Sequence, residues 1–129
     1  NIFCFNRKTW VIQGYGNKSS VLIKLILQKL KGVFMIKHIV MFKLKDKNKE
    51  NIKKVVNALK TLEGSIDVLR SAEIGVNFTE SERSYDIVLT TDFDNRDALD
   101  AYGPHPKHVP VVETVHALCS GSVVVDYET

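Results

Sequence analysis

Apolar and polar positions alternate from Ile36 to Leu44, with Ile36, His38, Val40, Phe42 and Leu44 on one side and Lys37, Ile39, Met41 and Lys43 on the other. A period of two is the mark of a β-strand, and the partly apolar second side implies that both faces meet protein. After a charged turn over 46–50, Ile52, Val55, Val56, Leu59 and Leu62 recur at helical spacing with lysines opposite them. Gly64 stands where that helix is expected to stop. Arg70, Ala72, Ile74 and Val76 read as a second strand, and the polar stretch 77–84 turns the chain into a third. There Tyr85, Ile87, Leu89, Thr91 and Phe93 alternate with Asp86, Val88, Thr90 and Asp92, so strands two and three form a hairpin.

Asp94 or Asn95 can cap a short helix whose apolar side is Ala98, Leu99 and Tyr102, and which must end near Gly103-Pro104. Val109, Val112, Val115 and His116 recur on a second helical piece, with Pro110 tolerable only in its first turn. The β-branched run 122–127 is a fourth strand, and Cys119 just before it reads as a small core residue. The order strand, helix, strand, strand, helix, strand predicts an α+β, ferredoxin-like βαββαβ fold: a four-stranded antiparallel sheet with helices on one face. The other face, expected to carry Ile39, Met41, Val88 and Val124, then needs a cover. A second copy's sheet is the simplest one, which predicts a homodimer closing a dimeric α/β barrel.

Charge divides the chain in the same place as the pattern does. Six of the 18 basic residues and none of the 15 acidic ones fall in residues 1–34, so 12 bases face 15 acids in 35–129, a net of −3. A slightly acidic domain without a basic face excludes a nucleic-acid partner. The run 21–30 is too short and too charged to span a bilayer, though Leu22, Ile26, Lys29 and Leu30 can share one side of an amphipathic helix. Residues 1–20 show no period. Residues 1–34 are expected to be a leader or translated upstream segment outside the fold, with Met35 as the natural start and 35–129 as the domain. Cys4 and Cys119 form no disulfide framework, so a reduced, cytoplasmic protein is expected.

The chemistry concentrates in Tyr102-Gly103-Pro104-His105-Pro106-Lys107-His108, a phenol and two imidazoles in a segment where glycine and proline forbid an ordinary helix. His38, on the strand side that faces the helices, can join them. His105 and His108 lack a carboxylate or thiol at metal-ligand spacing, so neither a metal nor a cofactor is expected.

Together with the opening strand 36–44, these residues carry a resemblance. The chain resembles the Dabb family, the stress-responsive dimeric α/β-barrel domain, over 35–127. The further matching pieces are Glu73-Ile74-Gly75 with Asn77, Ser84-Tyr85-Asp86-Ile87-Val88-Leu89, and Val125-Asp126-Tyr127. The resemblance implies two ferredoxin-like protomers with facing sheets. A plant polyketide-cyclase branch of that family, which makes olivetolic acid, has the same Tyr-x-x-His-Pro-x-His spacing. It implies Tyr102 and His108 as a catalytic acid and base. Gly103-Pro104 and Val109-Pro110 stand where that branch has longer apolar residues, so the resemblance carries the reacting pair and not the pocket.

Three functions fit this reading. One is a dimeric domain that binds a small hydrophobic or aromatic molecule through His38, Phe42, Tyr102, His105 and His108. The second is a cofactor-independent enzyme, cyclase-like or small-monooxygenase-like, in which His108, titrating near pH ~6.5 like any free imidazole, is the base. The third is a purely structural, stress-protective oligomer.

Overall fold

The computed structural model of the chain describes residues 2–4, 10–12, 23, 26 and 34–129. The chain divides into two units, 1–33 and 34–129. In the first, β1 (Ile2–Cys4) and β2 (Trp10–Ile12) pair antiparallel, with Cys4 opposite Trp10. Three-residue strands are too short to show a period, which is why the sequence reads as patternless there. The helix expected over 21–30 and most of the expected leader fall outside the described residues, although Ile23 and Ile26 are helical.

The second unit runs β3 (Ile36–Leu44), α1 (Lys49–Lys60), β4 (Ser71–Val76), β5 (Ile87–Phe93), α2 (Arg96–Tyr102), α3 (Val109–Leu118) and β6 (Cys119–Glu128). Its sheet has the order β4-β5-β3-β6 with every neighbour antiparallel, the ferredoxin-like arrangement expected from the pattern.

Local chemistry sets the helix ends. Asn48 caps α1 by accepting the Asn51 N–H at 2.8 Å, with Glu50 in the first turn and Lys60 in the last, each at the favourable end of the helix dipole. The helix stops four residues before Gly64. The Thr61 hydroxyl donates to the Ala58 carbonyl at 2.6 Å and closes the last turn early. Gly64 instead bends the following turn at φ +73°, a left-handed conformation suited to glycine. Of the two candidate caps of α2, Asn95 accepts the Ala98 N–H at 2.8 Å, and Asp94 is drawn away by Arg70 at 2.9 Å.

The core lies between the helices and one sheet face. Ile36, Phe42 and Leu44 of β3 and Ile87, Leu89 and Phe93 of β5 bury against Val55, Leu59, Val111 and Val115. Each such side chain withdrawn from water contributes about 1.5–3 kcal/mol. Asp86, on the polar side of its strand's alternation, is nevertheless buried. Its carboxylate accepts the Leu44 N–H at 2.8 Å and so satisfies the end of β3.

Register corrects the expected membership of the open face. Cys119 opposes Leu44 on the helix side, and simple alternation from there would put Val124 on the open face. A register shift between Lys43 and Leu44 adds one residue to β6, which exchanges its faces. Val124 therefore opposes Val40 on the helix side, while Val123 opposes Met41 and Val125 opposes Ile39 on the open one. The open face is thus Ile39, Met41, Val88, Val123, Val125 and Tyr127, beside a polar patch where Lys37 pairs with Asp92 at 2.7 Å. Met41, Val123, Val125 and Tyr127 are all exposed in the single chain. Among the described residues no helix is long and apolar enough to cross a membrane.

Candidate functional site

Pro104 and Pro106 offer no N–H, so the chain leaves α2 through tight turns and not through a continuing helix. The His105 N–H donates to the Tyr102 carbonyl at 3.1 Å, and the His108 and Val109 N–H groups donate to the His105 carbonyl at 2.9 and 3.1 Å. α3 then starts with Pro110 in its first turn, where a missing donor breaks no helical bond. The turns fold the segment back on itself. The His108 ring lies over Tyr102 with ring centroids 4.0 Å apart and planes at 32°. Phe93 packs on Tyr102 at 5.0 Å, and His38 meets it edge-on at 6.2 Å.

The rings of His38, Tyr102 and His108 border a cavity of about 170 Å³ between helices and sheet. Val40, Phe42 and Leu89 line it from the strands, and Leu59, Leu62, Val111, Val112 and Val115 from the helical layer. Its polar lining is His38, Tyr102, His108, His116 and Ser122.

Tyr102 is 1% exposed, and its hydroxyl has no hydrogen-bond partner among the described residues. Burial disfavours the phenolate and pushes the phenol up to about 12, so the hydroxyl is a firm donor at neutral pH. The His108 Nδ1–H donates to the Gly103 carbonyl at 2.8 Å, which leaves Nε2 with its lone pair. Burial lowers the His108 pKa from its ordinary 6.5, against the pull of the Gly103 carbonyl and helped by His38 and His105. His38 differs, because its Nδ1 pairs with the Asp126 carboxylate on β6. The cavity therefore combines an unpartnered donor, a neutral imidazole acceptor and a carboxylate-held imidazole against apolar walls.

Of the residues singled out in sequence, His38, Phe42, Tyr102 and His108 line this cavity. His105 does not. Its Nδ1 accepts the Lys107 N–H at 3.1 Å, so the ring braces the turn between α2 and α3. Three residues were not read as part of the site: His116, Ser122 and Asp126. His116 follows His108 by eight, and Val111, Val112 and Val115 follow it by three, four and seven, so the cavity side of α3 was legible as one helical stripe. The expected stripe of Val109, Val112, Val115 and His116 shares its last three members with this one and departs at Val109, which is exposed. Ser122 opposes Phe42 and Asp126 opposes His38 across β3 and β6. Both depend on the register shift, which no spacing in the sequence announces. Among the described residues, no group of three or more His, Cys, Asp or Glu side chains could hold a metal ion.

Comparison with known proteins agrees with this architecture. Residues 36–129 match the family described as the stress responsive A/B barrel domain, Dabb. An uncharacterized protein of Streptomyces coelicolor is 33% identical over 97 residues, covering 73% of this chain and 99% of that protein. A crystal structure from Bacteroides fragilis, of a dimeric protein of unknown function with a ferredoxin-like fold, is 36% identical. It superposes with a TM-score of 0.64, covering 74% of this chain and 96% of that one. A dimeric ferredoxin-like protein of unknown function from Thermobifida fusca is 25% identical with a TM-score of 0.67, covering 74% and 92%.

Proposed function

The chain belongs to the Dabb family of stress responsive A/B barrel domains, and on that premise we propose that it binds a small apolar or aromatic molecule in the cavity beside Tyr102. It does so as one protomer of a homodimer joined through the open sheet faces. The observation that carries this reading is the cavity itself, apolar on most sides, with a buried hydroxyl that no group among the described residues satisfies. Its size suits one ring, since an engineered apolar cavity of about 150 Å³ takes benzene. Dimeric relatives and the exposed apolar residues of the open face support the homodimer. Titration with toluene, followed by methyl NMR, tests the binding. Saturable shifts at Leu59, Val111 and Val115 are expected, and no saturable change at these methyls would leave only a structural role for the fold.

A second reading, proton transfer, is favoured by one specific observation: the His108 Nδ1–H is committed to Gly103, which leaves Nε2 free to take a proton. His108 would remove a proton alpha to a carbonyl while the Tyr102 hydroxyl donates to the oxygen that becomes the enolate. Deuterium uptake by cyclohexanone in heavy water, compared between the wild type and His108→Ala, tests it. Equal rates would remove His108 from any such chemistry.

A further inference from the structure

Aromatic binding leaves open which ring compounds the cavity prefers, and its polar groups narrow the class. The Tyr102 hydroxyl is buried with no partner among the described residues, so an acceptor on a ligand would satisfy it. His108, its ring packed on Tyr102 at 4.0 Å, has committed Nδ1–H to the Gly103 carbonyl, so Nε2 needs a donor. One group satisfies both at once. A hydroxyl on the ligand accepts from Tyr102 through its oxygen and donates its own hydrogen to His108. A ketone or ether oxygen meets only the first need, and an unsubstituted ring meets neither.

Charge narrows the class further. No lysine or arginine is among the described residues lining the cavity, and the nearest ionic arrangement, His38 with Asp126, already holds its own carboxylate. A second carboxylate brought beside them would be buried without a cation, and that desolvation opposes binding. Volume sets the last limit, because about 170 Å³ admits one six-membered ring and little more.

We propose that the cavity selects a neutral, hydroxyl-bearing single ring, a phenol or a compact enol, over the unsubstituted ring, its ether and its carboxylate. The selection rests on the binding reading above and adds the polar criterion to it. The hydroxyl bridges Tyr102 and His108, and the apolar walls hold the ring.

Four probes separate the elements of this recognition: phenol, toluene, anisole and benzoate, titrated calorimetrically at neutral pH, where phenol stays neutral and benzoate is ionised. Two hydrogen bonds made together predict that phenol binds roughly tenfold tighter than toluene, with anisole between them and benzoate weakest. Tyr102→Phe should abolish the preference of the cavity for phenol over toluene, the two then binding alike, a result that a merely unfolded variant cannot give. Toluene binding as tightly as phenol in the wild type would overturn the hydroxyl bridge and leave the aromatic cavity standing. Benzoate binding as tightly as phenol would overturn the charge criterion. No binding of any probe would overturn this proposal and the binding reading together.

Discussion

Removing the Tyr102 hydroxyl should make the ligand-free protein more stable, the opposite of the usual outcome at a buried tyrosine. Tyr102→Phe keeps the ring, and with it the packing on Phe93 at 5.0 Å and on His108 at 4.0 Å. The variant loses only an oxygen that is buried and has no partner among the described residues. A buried hydroxyl left without a hydrogen bond costs about 1–3 kcal/mol, and the small space opened against an existing cavity takes back part of that, for a net gain of about 1 kcal/mol. For a domain of this size such a gain raises the melting midpoint by roughly 4–8 °C. Thermal and urea unfolding at matched protein concentration measure it, since a dimer's midpoint depends on concentration. Tyr102→Ala is the contrast, because deleting the whole ring should cost about 3–5 kcal/mol. If Tyr102→Phe is less stable than the wild type by about 1 kcal/mol, the hydroxyl already has its partner in the folded protein, and the case for a ligand acceptor there fails.

Burial lowers the His108 pKa below 6.5, so on acidification the unfolded chain takes up a proton before the folded one does. Stability should therefore fall as pH drops through about 6.5, and His108→Gln should lose less than the wild type between about pH 7.5 and about pH 5.5; equal losses would mean that His108 is no more buried than a free imidazole. Asp86→Ala should cost about 1–3 kcal/mol in urea unfolding, because it strands the buried Leu44 N–H, whereas a neutral result would mean that water reaches that amide. Val125→Glu puts a charge on the open face opposite Ile39 and should turn dimer into monomer in light scattering; an unchanged dimer would move the interface elsewhere.

The sequence showed the sheet and helices through short-range periods, and these held: Ile87, Leu89, Thr91 and Phe93 are buried in strict alternation. Tyr102 and His108 were legible because proline and glycine around them forbid a helix, a constraint local to seven residues. What stayed hidden depends on partners distant in sequence. One extra residue in β6 exchanges its faces, moving Val124 to the helix side and bringing Asp126 opposite His38, and the local hint of that insertion is Gly121 at the shift itself, a glycine that fixes neither the bulge nor its position. Asp86 misled for the same reason, since its partner Leu44 lies 42 residues away. His105 lies in the same segment as Tyr102 and His108 but outside the cavity's lining, because the backbone of Lys107 takes its ring nitrogen.

The most direct measurement is a crystal structure of the protein grown with phenol. The ring should lie in the cavity between α3 and the sheet, its oxygen at hydrogen-bond distance, about 2.7–3.0 Å, from both Tyr102 Oη and His108 Nε2. A ring found only elsewhere on the protein, or one in the cavity with its hydroxyl turned away from Tyr102, would contradict the assignment of this site.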